Sequence, residues 1–263
     1  MTHEDLIEEG LDAYYSIRRG VCKFLPDAVV KHKEGLNIAW SGTDISFLNS
    51  VSPASSFTSL GQMEVVLRCA QDQFELLETN GCTGGFGFDT SKLMNGVSDE
   101  ILENTFLKYG FHAEFALTMA CVGGSFERID LNDLEIARVE TAQQLAELFS
   151  LRSHGSMDWD SAIRFWRSLY SFIGYVDGKI ATTATVQLCN NKAYLASVLT
   201  HPDFRNRGYA STISKYALQR ACGESGFNIS MLHSTKAARA MYEKIGFNVI
   251  GSCGIAQYSR IKE

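Results

Sequence analysis

The stretch HPDFRNRGYASTISKYALQRA, residues 201–221, carries the strongest structural signal in the chain. The alternating apolar residues at 193–200 predict a strand before it, and a basic loop containing Gly208 then leads directly into a helical pattern. A strand, a tight loop and a helix N-terminus in succession form an anion site, because unpaired backbone N–H groups and the helix dipole converge there. The small and apolar residues of the helix share one face: Ala210, Ile213, Ala217 and Ala221.

The loop also has the side chains that a phosphate group requires. Gly208 lacks the side chain that would block a close approach to the backbone. Arg205 and Arg207 can pair with phosphate oxygens. The alternative is that both arginines are solvated residues of a surface loop, and the spacing R-x-x-G-x-A favours phosphate binding over it.

The segment RNRGYA at 205–210 resembles the cofactor loop R/Q-x-x-G-x-G/A of the GNAT acetyltransferase superfamily, which follows a strand ending in an apolar-His-Pro sequence. A strand at 228–233 and a helix at 235–245 come next, with Ala238, Met241 and Ile245 expected on the inner face. The end of that helix is similar to the family's A-x-x-x-Y-E-K-x-G-F, on these residues: Ala238, Tyr242, Glu243, Lys244, Gly246 and Phe247. The resemblance covers about residues 133–263.

This resemblance implies a cofactor, a reaction and a set of site residues. Acetyl-CoA would be the co-substrate, no metal would be needed, and the acetyl group would pass directly to an amine. The backbone of Val198, Leu199 and Thr200 would lie beside the pantetheine arm, and Tyr242 would protonate the departing CoA thiolate. The pyrophosphate would be held by the loop and the first helical turn: Arg205, Asn206, Arg207, Gly208, Tyr209, Ala210 and Ser211.

The sequence departs from the family pattern at two positions, one expected to contact the cofactor and one expected to hold the general base. Thr235 stands where many members have Asn, and the strand at 193–200 lacks the Glu that many members use as general base. The candidates for the base are His154, Asp158 and His233, and a structural or solvent-exposed role explains each of them more readily than a catalytic one. Two tryptophans, Trp159 and Trp166, fall where the family's first helices shape the acceptor pocket, although core packing is the better explanation for either residue.

Three functions are compatible with these residues. The first is an N-acetyltransferase that acts on a primary amine of a small molecule or a peptide, as a monomer or a homodimer. The second is a non-catalytic module that binds acyl-CoA, suggested by the missing Glu and by Thr235. The third is a structural scaffold that binds no CoA.

The composition of the chain limits the binding partners and the cellular compartment that can be expected. A net charge of -6 and a pI near 5.6 provide no positive field, which argues against nucleic-acid and anionic-membrane partners. The acidic N-terminus and the absence of an apolar run of about 18 residues predict a cytoplasmic protein. The seven cysteines are scattered without a C-x-x-C pair, which predicts free thiols rather than a metal site or a disulfide framework.

A length of 263 residues predicts two domains. The polar segment at 123–133 is the best candidate boundary, giving a degenerate GNAT-like domain at 1–132 and a catalytic GNAT domain at 133–263. The motif TFLKYGF at 105–111 aligns with MYEKIGF at 241–247 and places Phe106 opposite Tyr242, and a phenyl ring cannot donate a proton. The fold class expected is α+β, with each domain a mixed, mostly antiparallel sheet flanked by helices.

Several further elements are readable in both halves. The first half has helices at 3–19, 62–79 and 98–109 and a strand at 111–122, and the glycine cluster at 80–89 is expected to form a turn and a short strand. The inner face of the second helix is expected at Val66, Cys69, Gln73 and Leu76 or Leu77. In the second half, the turn dipeptides Asp177-Gly178 and Asn190-Asn191 bracket an alternating strand at 180–188.

Overall fold

The computed structural model describes residues 3–77, 84–89 and 97–258, except residues 125, 127, 128, 132, 153, 154 and 156. The chain forms two compact units. The first unit consists of Met1–Leu117 together with Gly251–Glu263, and the second consists of Thr118–Ile250.

The first unit is a mixed sheet with three helices. Its strands lie in the order β1-β2-β3-β4-β11-β5, and the pairs β1/β2, β2/β3 and β4/β11 are antiparallel whereas β3/β4 is parallel. Its elements are α1 (His3–Cys22), β1 (Val29–Lys33), β2 (Leu36–Trp40), β3 (Ser50–Pro53), α2 (Leu60–Leu77), β4 (Gly85–Asp89), α3 (Asp99–Lys108), β5 (Phe111–Val122) and β11 (Asn248–Tyr258), of which β5 and β11 cross the division between the units.

Helix α2 begins two residues before the predicted start, and the centre of its inner face lies about one residue position from the predicted one. The predicted Gln73 is buried, and Val66, Cys69 and Leu77 are half-buried at the edge of the core, whereas Leu76 is 64% exposed. The buried positions follow the spacing i, i+4, i+7, i+11, which forms the more continuous apolar stripe. These positions are Met63, Leu67, Ala70 and Phe74, with Gln73 beside them.

Helix α3 and strand β5 confirm their predictions closely. Ser98 caps α3, since its side chain accepts a hydrogen bond from the backbone N–H of Ile101. Gly110 ends the helix at a φ of +79°, a left-handed conformation that favours glycine. The predicted short strand after the glycine cluster is β4, and the preceding turn residues 80–83 lie outside the described residues.

The second unit has the same kind of architecture. Its strands lie in the order β10-β9-β8-β7-β6, with β9/β10 parallel and the pairs β6/β7, β7/β8 and β8/β9 antiparallel. Its elements are β6 (Glu135–Arg138), α4 (Ala142–Ser150), α5 (Trp159–Trp166), β7 (Tyr170–Val176), β8 (Lys179–Cys189), β9 (Lys192–Thr200), α6 (Tyr209–Ser225), β10 (Ile229–Ser234) and α7 (Arg239–Lys244).

The two turns of this sheet confirm the sequence analysis. Asp177 and Gly178 have φ angles of +50° and +71°, and Asn190 and Asn191 have φ angles of +48° and +58°. Two successive positive φ angles are what a type I′ hairpin requires. The inner face of α6 is also as expected, with Ile213, Ala217 and Ala221 fully buried and Ala210 half-buried.

The order of elements is repeated between the two units. A parallel pair of strands joined by a helix, then a helix and a long strand, appears as β3-α2-β4-α3-β5 and again as β9-α6-β10-α7-β11. Gly110 and Gly246 both have positive φ, and Phe111 and Phe247 after them are both buried. The resemblance between 105–111 and 241–247 therefore corresponds to equivalent places in the fold.

The compact units differ from the predicted domains at two places. Residues 118–132 belong to the second unit, where the Gly123 N–H donates to the Asn228 carbonyl at 2.7 Å and Thr212 Oγ1 donates to the Asp130 carbonyl at 3.5 Å. The C-terminal residues from Gly251 belong to the first unit, because β11 pairs there with β4. A single boundary at 132/133 does not describe this exchange of segments.

The described cysteines are free thiols, and three of the six are buried: Cys22, Cys121 and Cys253. Burial raises the pKa of Cys22 to about 12, so this thiol stays protonated. Among the helices of the described ranges, none combines the length and the apolar composition needed to cross a membrane.

Candidate functional site

Strands β9 and β10 pair only over their first halves. The parallel register joins Ala193 to Ser230 and ends with Leu195 opposite Leu232, although β9 continues to Thr200. Burial changes at the same point, since residues 192–195 are buried and residues 196–200 are half-buried. In the part of the chain that the structure describes, the backbone edge of 196–200 that faces away from β8 is therefore left without a strand partner.

A bulge shapes the same segment of β9. Ser197 and Val198 lie opposite the single residue Ala184 of β8, and Ser197 has a φ of +53°. Two buried hydroxyls hold the bulge, because Thr183 Oγ1 donates to the Ser197 carbonyl at 3.0 Å and Thr182 Oγ1 donates to the Leu199 carbonyl at 2.8 Å. A bulge reorients backbone groups without ending the strand, so these carbonyls bond inward and the outer edge is fixed in position.

The loop after β9 is ordered by its own hydrogen bonds. His201 caps the short 3-10 helix Pro202–Phe204, and its Nδ1 accepts the Asp203 N–H at 3.3 Å. The Nε–H of Arg205 donates to the Thr200 carbonyl at 3.2 Å. Asn206 then has a φ of +62°, and these features turn the chain sharply from the strand into helix α6.

Gly208 begins helix α6 in a left-handed conformation with φ +84°. A Cβ added at this glycine would meet no atom within 4 Å, so the space beside it is open. The Thr212 N–H donates to the Gly208 carbonyl at 3.0 Å. The N–H groups of Tyr209, Ala210 and Ser211 precede this first helical bond and have no acceptor within the helix.

The side chain of Tyr209 has a structural role. Its hydroxyl donates to the Asp133 carboxylate at 2.8 Å and 2.9 Å from the two oxygens. This hydrogen bond is the main cause that raises the pKa of Tyr209. Tyr209, predicted to bind the cofactor, can therefore do so through its backbone N–H. Its side chain is engaged with Asp133 and fixes helix α6 to the segment before β6.

Basic side chains lie around this loop. Arg207 is exposed, and its guanidinium carbon lies 5.7 Å from the centre of the Phe204 ring. A cavity of about 670 Å³ adjoins the loop, and Lys179 at the β7–β8 turn contributes to its wall together with His201 and Arg207. The charged residues of this lining are Lys179, Arg207 and Asp203, so the cavity wall is positive by one charge in a chain that is acidic overall.

Tyr242 is buried in helix α7, with 6% of its surface exposed, and its ring packs edge-on against Phe247 at 6.0 Å. Burial raises the pKa of Tyr242 well above its usual value. The inner face of α7 was expected at Ala238, Met241 and Ile245, but all three are half-buried. The helix begins only at Arg239, after a 3-10 turn capped by Thr235, and Tyr242 is its buried residue.

The three candidate bases have different positions. His154 lies outside the described residues. Asp158 caps helix α5, and its Oδ1 accepts the Ser161 N–H at 3.0 Å. Its hydrogen bonds to Ser161 lower the pKa of Asp158, so it is a weak base. His233 lies one residue beyond the last β9–β10 pair, and its Nδ1 is 2.9 Å from the hydroxyl of Tyr194.

Tyr194 is a site residue that the sequence did not reveal. It is buried on β9 beside Leu195, and its ring packs edge-on against His233 at 5.6 Å. The pair joins β9 to β10 at the point where the strands part. A polar tip on an aromatic residue in an otherwise small and apolar strand is the signal that could have identified it.

The two tryptophans pack in the core. Trp166 is fully buried, with its ring centre 5.1 Å from that of Phe149. Trp159 is half-buried and lies 5.6 Å from the same phenylalanine. Of the two interpretations given by the sequence, packing describes both residues.

Comparison with protein families gives one match. Residues 140–247 match the model of the acetyltransferase (GNAT) family. The matched segment runs from the start of helix α4 to the end of α7, and it includes β9, the loop with Gly208, and Tyr242. None of the curated protein sequences matches the chain.

Solved structures show that the fold of the whole chain is that of GNAT proteins. A GCN5-related N-acetyltransferase from Kribbella flavida has a TM-score of 0.61 at 14% identity, covering 94% of this chain and 96% of that one. A GCN5-related N-acetyltransferase-like protein from Streptococcus suis has a TM-score of 0.57 at 12% identity, covering 97% and 99%. A tandem GNAT protein from the clavulanic acid biosynthesis pathway has a TM-score of 0.53 at 11% identity, covering 98% and 96%. The tandem arrangement predicted from the sequence is thus confirmed at the level of fold.

Proposed function

We propose that this chain, a GNAT protein by its match at 140–247 and by its fold, transfers an acetyl group from acetyl-CoA to a primary amine through its second unit. The observation that carries the proposal is the parting of β9 from β10 next to the open N-terminus of α6. The acceptor would be an amine of a small molecule or a peptide.

The residues present fit a diphosphate and the arm attached to it. Three N–H groups at the start of α6 have no acceptor within the helix, and Gly208 leaves the space beside them open. Arg207 can reach an anion there as a second, charged donor. Arg205 would act partly through the loop, since its Nε is already bonded to the Thr200 carbonyl.

The unpaired edge of β9 is suited to an extended amide-containing arm. An arm of this kind can bond to an open strand edge as an added strand would. Val198, Leu199 and Thr200 would supply the backbone groups, and the bulge holds their inward carbonyls through Thr182 and Thr183. One N–H of this edge would donate to the thioester oxygen as negative charge develops on it.

The transfer step needs one proton donor and one proton acceptor. The amine nitrogen would attack the thioester carbon, the carbon–sulfur bond would break, and the sulfur would leave as a thiolate. Tyr242 keeps its proton because burial raises its pKa, so it can donate its O–H to the departing sulfur. A thiol titrates near ~8.5, well below a phenol, which favours a hydrogen bond from Tyr242 to the sulfur over a completed proton transfer.

We assign the proton acceptor to His233. An alkyl amine is mostly protonated at neutral pH, with a reference pKa of about 10.4, so the attacking nitrogen must lose a proton before or during the step. His233 lies where β9 and β10 part, whereas Asp158 is engaged as a helix cap. Tyr194 would orient the imidazole of His233.

The experiment is thiol release from acetyl-CoA across a panel of small amines and peptides, combined with calorimetric titration of CoA. Binding together with amine-dependent thiol release supports the enzyme. Saturable CoA binding without turnover on any amine would support a non-catalytic acyl-CoA module instead. The absence of any heat with CoA would contradict both functions and leave a structural scaffold.

A further inference from the structure

Another cavity of the second unit lies at the opposite end of β7 from the loop that precedes α6. Arg138 pairs with Phe172 near the start of β7, whereas Lys179 follows the end of β7 and lines the cavity beside that loop. Because a strand rises about 3.3 Å per residue, the seven residues of β7 separate the two spaces by roughly 20 Å. We call the new space the arginine pocket. Its volume is about 310 Å³, and its lining consists of Arg138, Val139, Glu140 and Arg167.

The arginine pocket is built on fixed backbone at the end of an edge strand. β6 is the last strand of the sheet, and Arg138 is its final residue. The Val139 N–H donates to the Ser171 carbonyl at 2.9 Å, and Val139 is only 1% exposed, so the chain stays attached to β7 beyond the strand. Arg167 ends helix α5, and its N–H donates to the Ile163 carbonyl at 3.0 Å. Both arginines are therefore attached to backbone that hydrogen bonds hold in place.

Both guanidinium groups are also oriented without a ligand. The Nε–H of Arg167 donates to the Glu140 carbonyl at 2.9 Å, which leaves the two terminal nitrogens of this side chain available. The guanidinium carbon of Arg138 lies 5.0 Å from the centre of the Tyr170 ring. That ring is fixed in turn, because its hydroxyl donates to Glu224 at 3.0 Å. An arginine that is oriented in this way loses less conformational entropy when it binds an anion.

The charges of the arginine pocket do not neutralise one another. Arg138 and Arg167 provide two positive charges and Glu140 one negative charge, so the lining is positive by one. Neither guanidinium forms an ion pair with a carboxylate in the part of the chain that the structure describes. Glu140 is exposed, and it holds Arg167 through its backbone carbonyl rather than through its carboxylate. Nearby, Arg220 and Glu224 pair at 3.3 Å and offset each other. The pocket thus has two oriented cations that lack a counter-ion.

A phosphate group matches these donors better than a carboxylate does. A guanidinium presents its N–H groups in a planar fork that bonds two oxygens at once. A carboxylate has two oxygens and satisfies one fork, whereas a phosphate monoester has three strong acceptor oxygens and can be shared by two forks. The charge agrees, since such a group carries about −1.5 to −2 at pH 7. The pocket volume is near the lower end of the range of about 300–1,000 Å³ that is typical of ligand sites, which favours a small ligand.

We propose that the arginine pocket binds the phosphate group of a small molecule, either a phosphate monoester or inorganic phosphate. Arg138 and Arg167 would both donate to the phosphate oxygens. The exposed carboxylate of Glu140 would oppose binding and limit the affinity. This site is separate from the pyrophosphate site proposed at the start of α6, and the inference does not depend on the transferase activity.

The test is a calorimetric titration of the full chain with inorganic phosphate and with glycerol phosphate. Arg138→Gln, Arg167→Gln and Arg207→Gln each remove one positive charge. The first two should weaken phosphate binding by about tenfold or more, because each removes a charged donor, whereas Arg207→Gln should leave it within about twofold. Glu140→Gln keeps the backbone carbonyl and removes the opposing charge, so it should tighten binding by about twofold or more. Acetate should bind about tenfold more weakly than either phosphate ligand.

The pattern among the variants decides the outcome. A loss of affinity in Arg207→Gln alone would assign the bound phosphate to the start of α6 and would overturn the proposal. An equal loss in all three arginine variants would indicate a general effect of net charge and would overturn it as well. Tighter binding of glycerol phosphate would identify a phosphorylated small molecule as the ligand, and tighter binding of inorganic phosphate would identify the free ion. If neither phosphate ligand shows saturable binding, the proposal is wrong.

Discussion

Gly208 and Gly226 lie at the two ends of helix α6 in the same left-handed conformation, with φ angles of +84° and +74°. At neither glycine would an added Cβ meet an atom within 4 Å. The two positions therefore impose the same backbone strain on any other residue, of about 1–2 kcal/mol. They differ only in that Gly208 lies at the positive end of the helix, next to the basic loop.

This symmetry provides a matched test of the phosphate site. Gly208→Ala and Gly226→Ala should lower the free energy of unfolding by similar amounts, because the strain is the same. Gly208→Ala alone should weaken CoA binding, by about tenfold, since a methyl group and a shifted backbone disturb the three N–H groups at the start of α6. Calorimetric titration of CoA against both variants measures this difference. Equal CoA affinities in the two variants would remove the helix terminus from the site.

The charge of Arg207 is the second feature to test. A hydrogen bond to a charged group contributes about 1.5–3 kcal/mol, so Arg207→Gln should weaken CoA binding by about tenfold or more. Arg220→Gln is the control, because Arg220 lies near the other end of α6, away from the loop, and pairs with Glu224 at 3.3 Å. The loss should shrink as salt is raised, since exposed charges are screened. A loss of the same size in both variants would indicate a general effect of net charge.

The sequence predicted the loop, helix and turns of the site, but not how the strands pair or which distant side chains meet. The loop, helix α6 and both turns were predictable because local φ preferences and periodicity determine them, as at Gly208 and Asp177-Gly178. The end of the β9–β10 pairing at Leu195 was not, because register depends on packing from many parts of the chain. The contact of Tyr194 with His233 joins residues 39 positions apart and has no local signal.

The division of the chain shows the same limit. The polar segment 123–133 has the composition of a linker, yet its described residues bond to α6 and to Asn228 just before β10, and the segment belongs to the second unit. The strand β11 begins in one unit and ends in the other. Composition indicates where a chain is polar, whereas the assignment of a segment to a unit depends on which sheet it completes.

Tyr242 should act on the chemical step and not on binding. Tyr242→Phe removes the O–H and keeps the packing with Phe247, so CoA affinity should stay within about twofold while kcat falls at least tenfold. Tyr216→Phe is the control, because Tyr216 is a half-buried tyrosine of α6. Its ring packs edge-on against Phe172 of β7 at 5.1 Å. Steady-state kinetics measures kcat, and calorimetric titration measures CoA affinity, for both variants. An unchanged kcat in Tyr242→Phe would take the phenol out of the mechanism.

The raised pKa of Tyr242 also predicts how kcat depends on pH in the alkaline range. The group must be protonated to donate, and burial raises its pKa above the usual value of 10.0, so kcat should not fall between pH 8 and pH 10. The same shift affects stability. Above about pH 10 the unfolded phenol ionises while the folded one does not, so the free energy of unfolding decreases as pH rises through that range. Loss of kcat near pH 8.5 with the fold intact would assign the acid to another group.

His233 and Asp158 provide the last comparison. If His233 accepts the amine proton, its neutral form is required, and kcat/KM should rise with pH through an acid limb that depends on this histidine. His233→Gln should lower kcat by about a hundredfold and abolish that limb, leaving only the limb due to the amine substrate. Asp158→Asn retains a good helix cap for α5 and should leave both kcat and the limb unchanged. The lowered pKa of Asp158 keeps it a carboxylate over the pH range of the limb, so Asp158 should not produce the limb. A limb that disappears in Asp158→Asn but persists in His233→Gln would contradict the assignment of the base to His233.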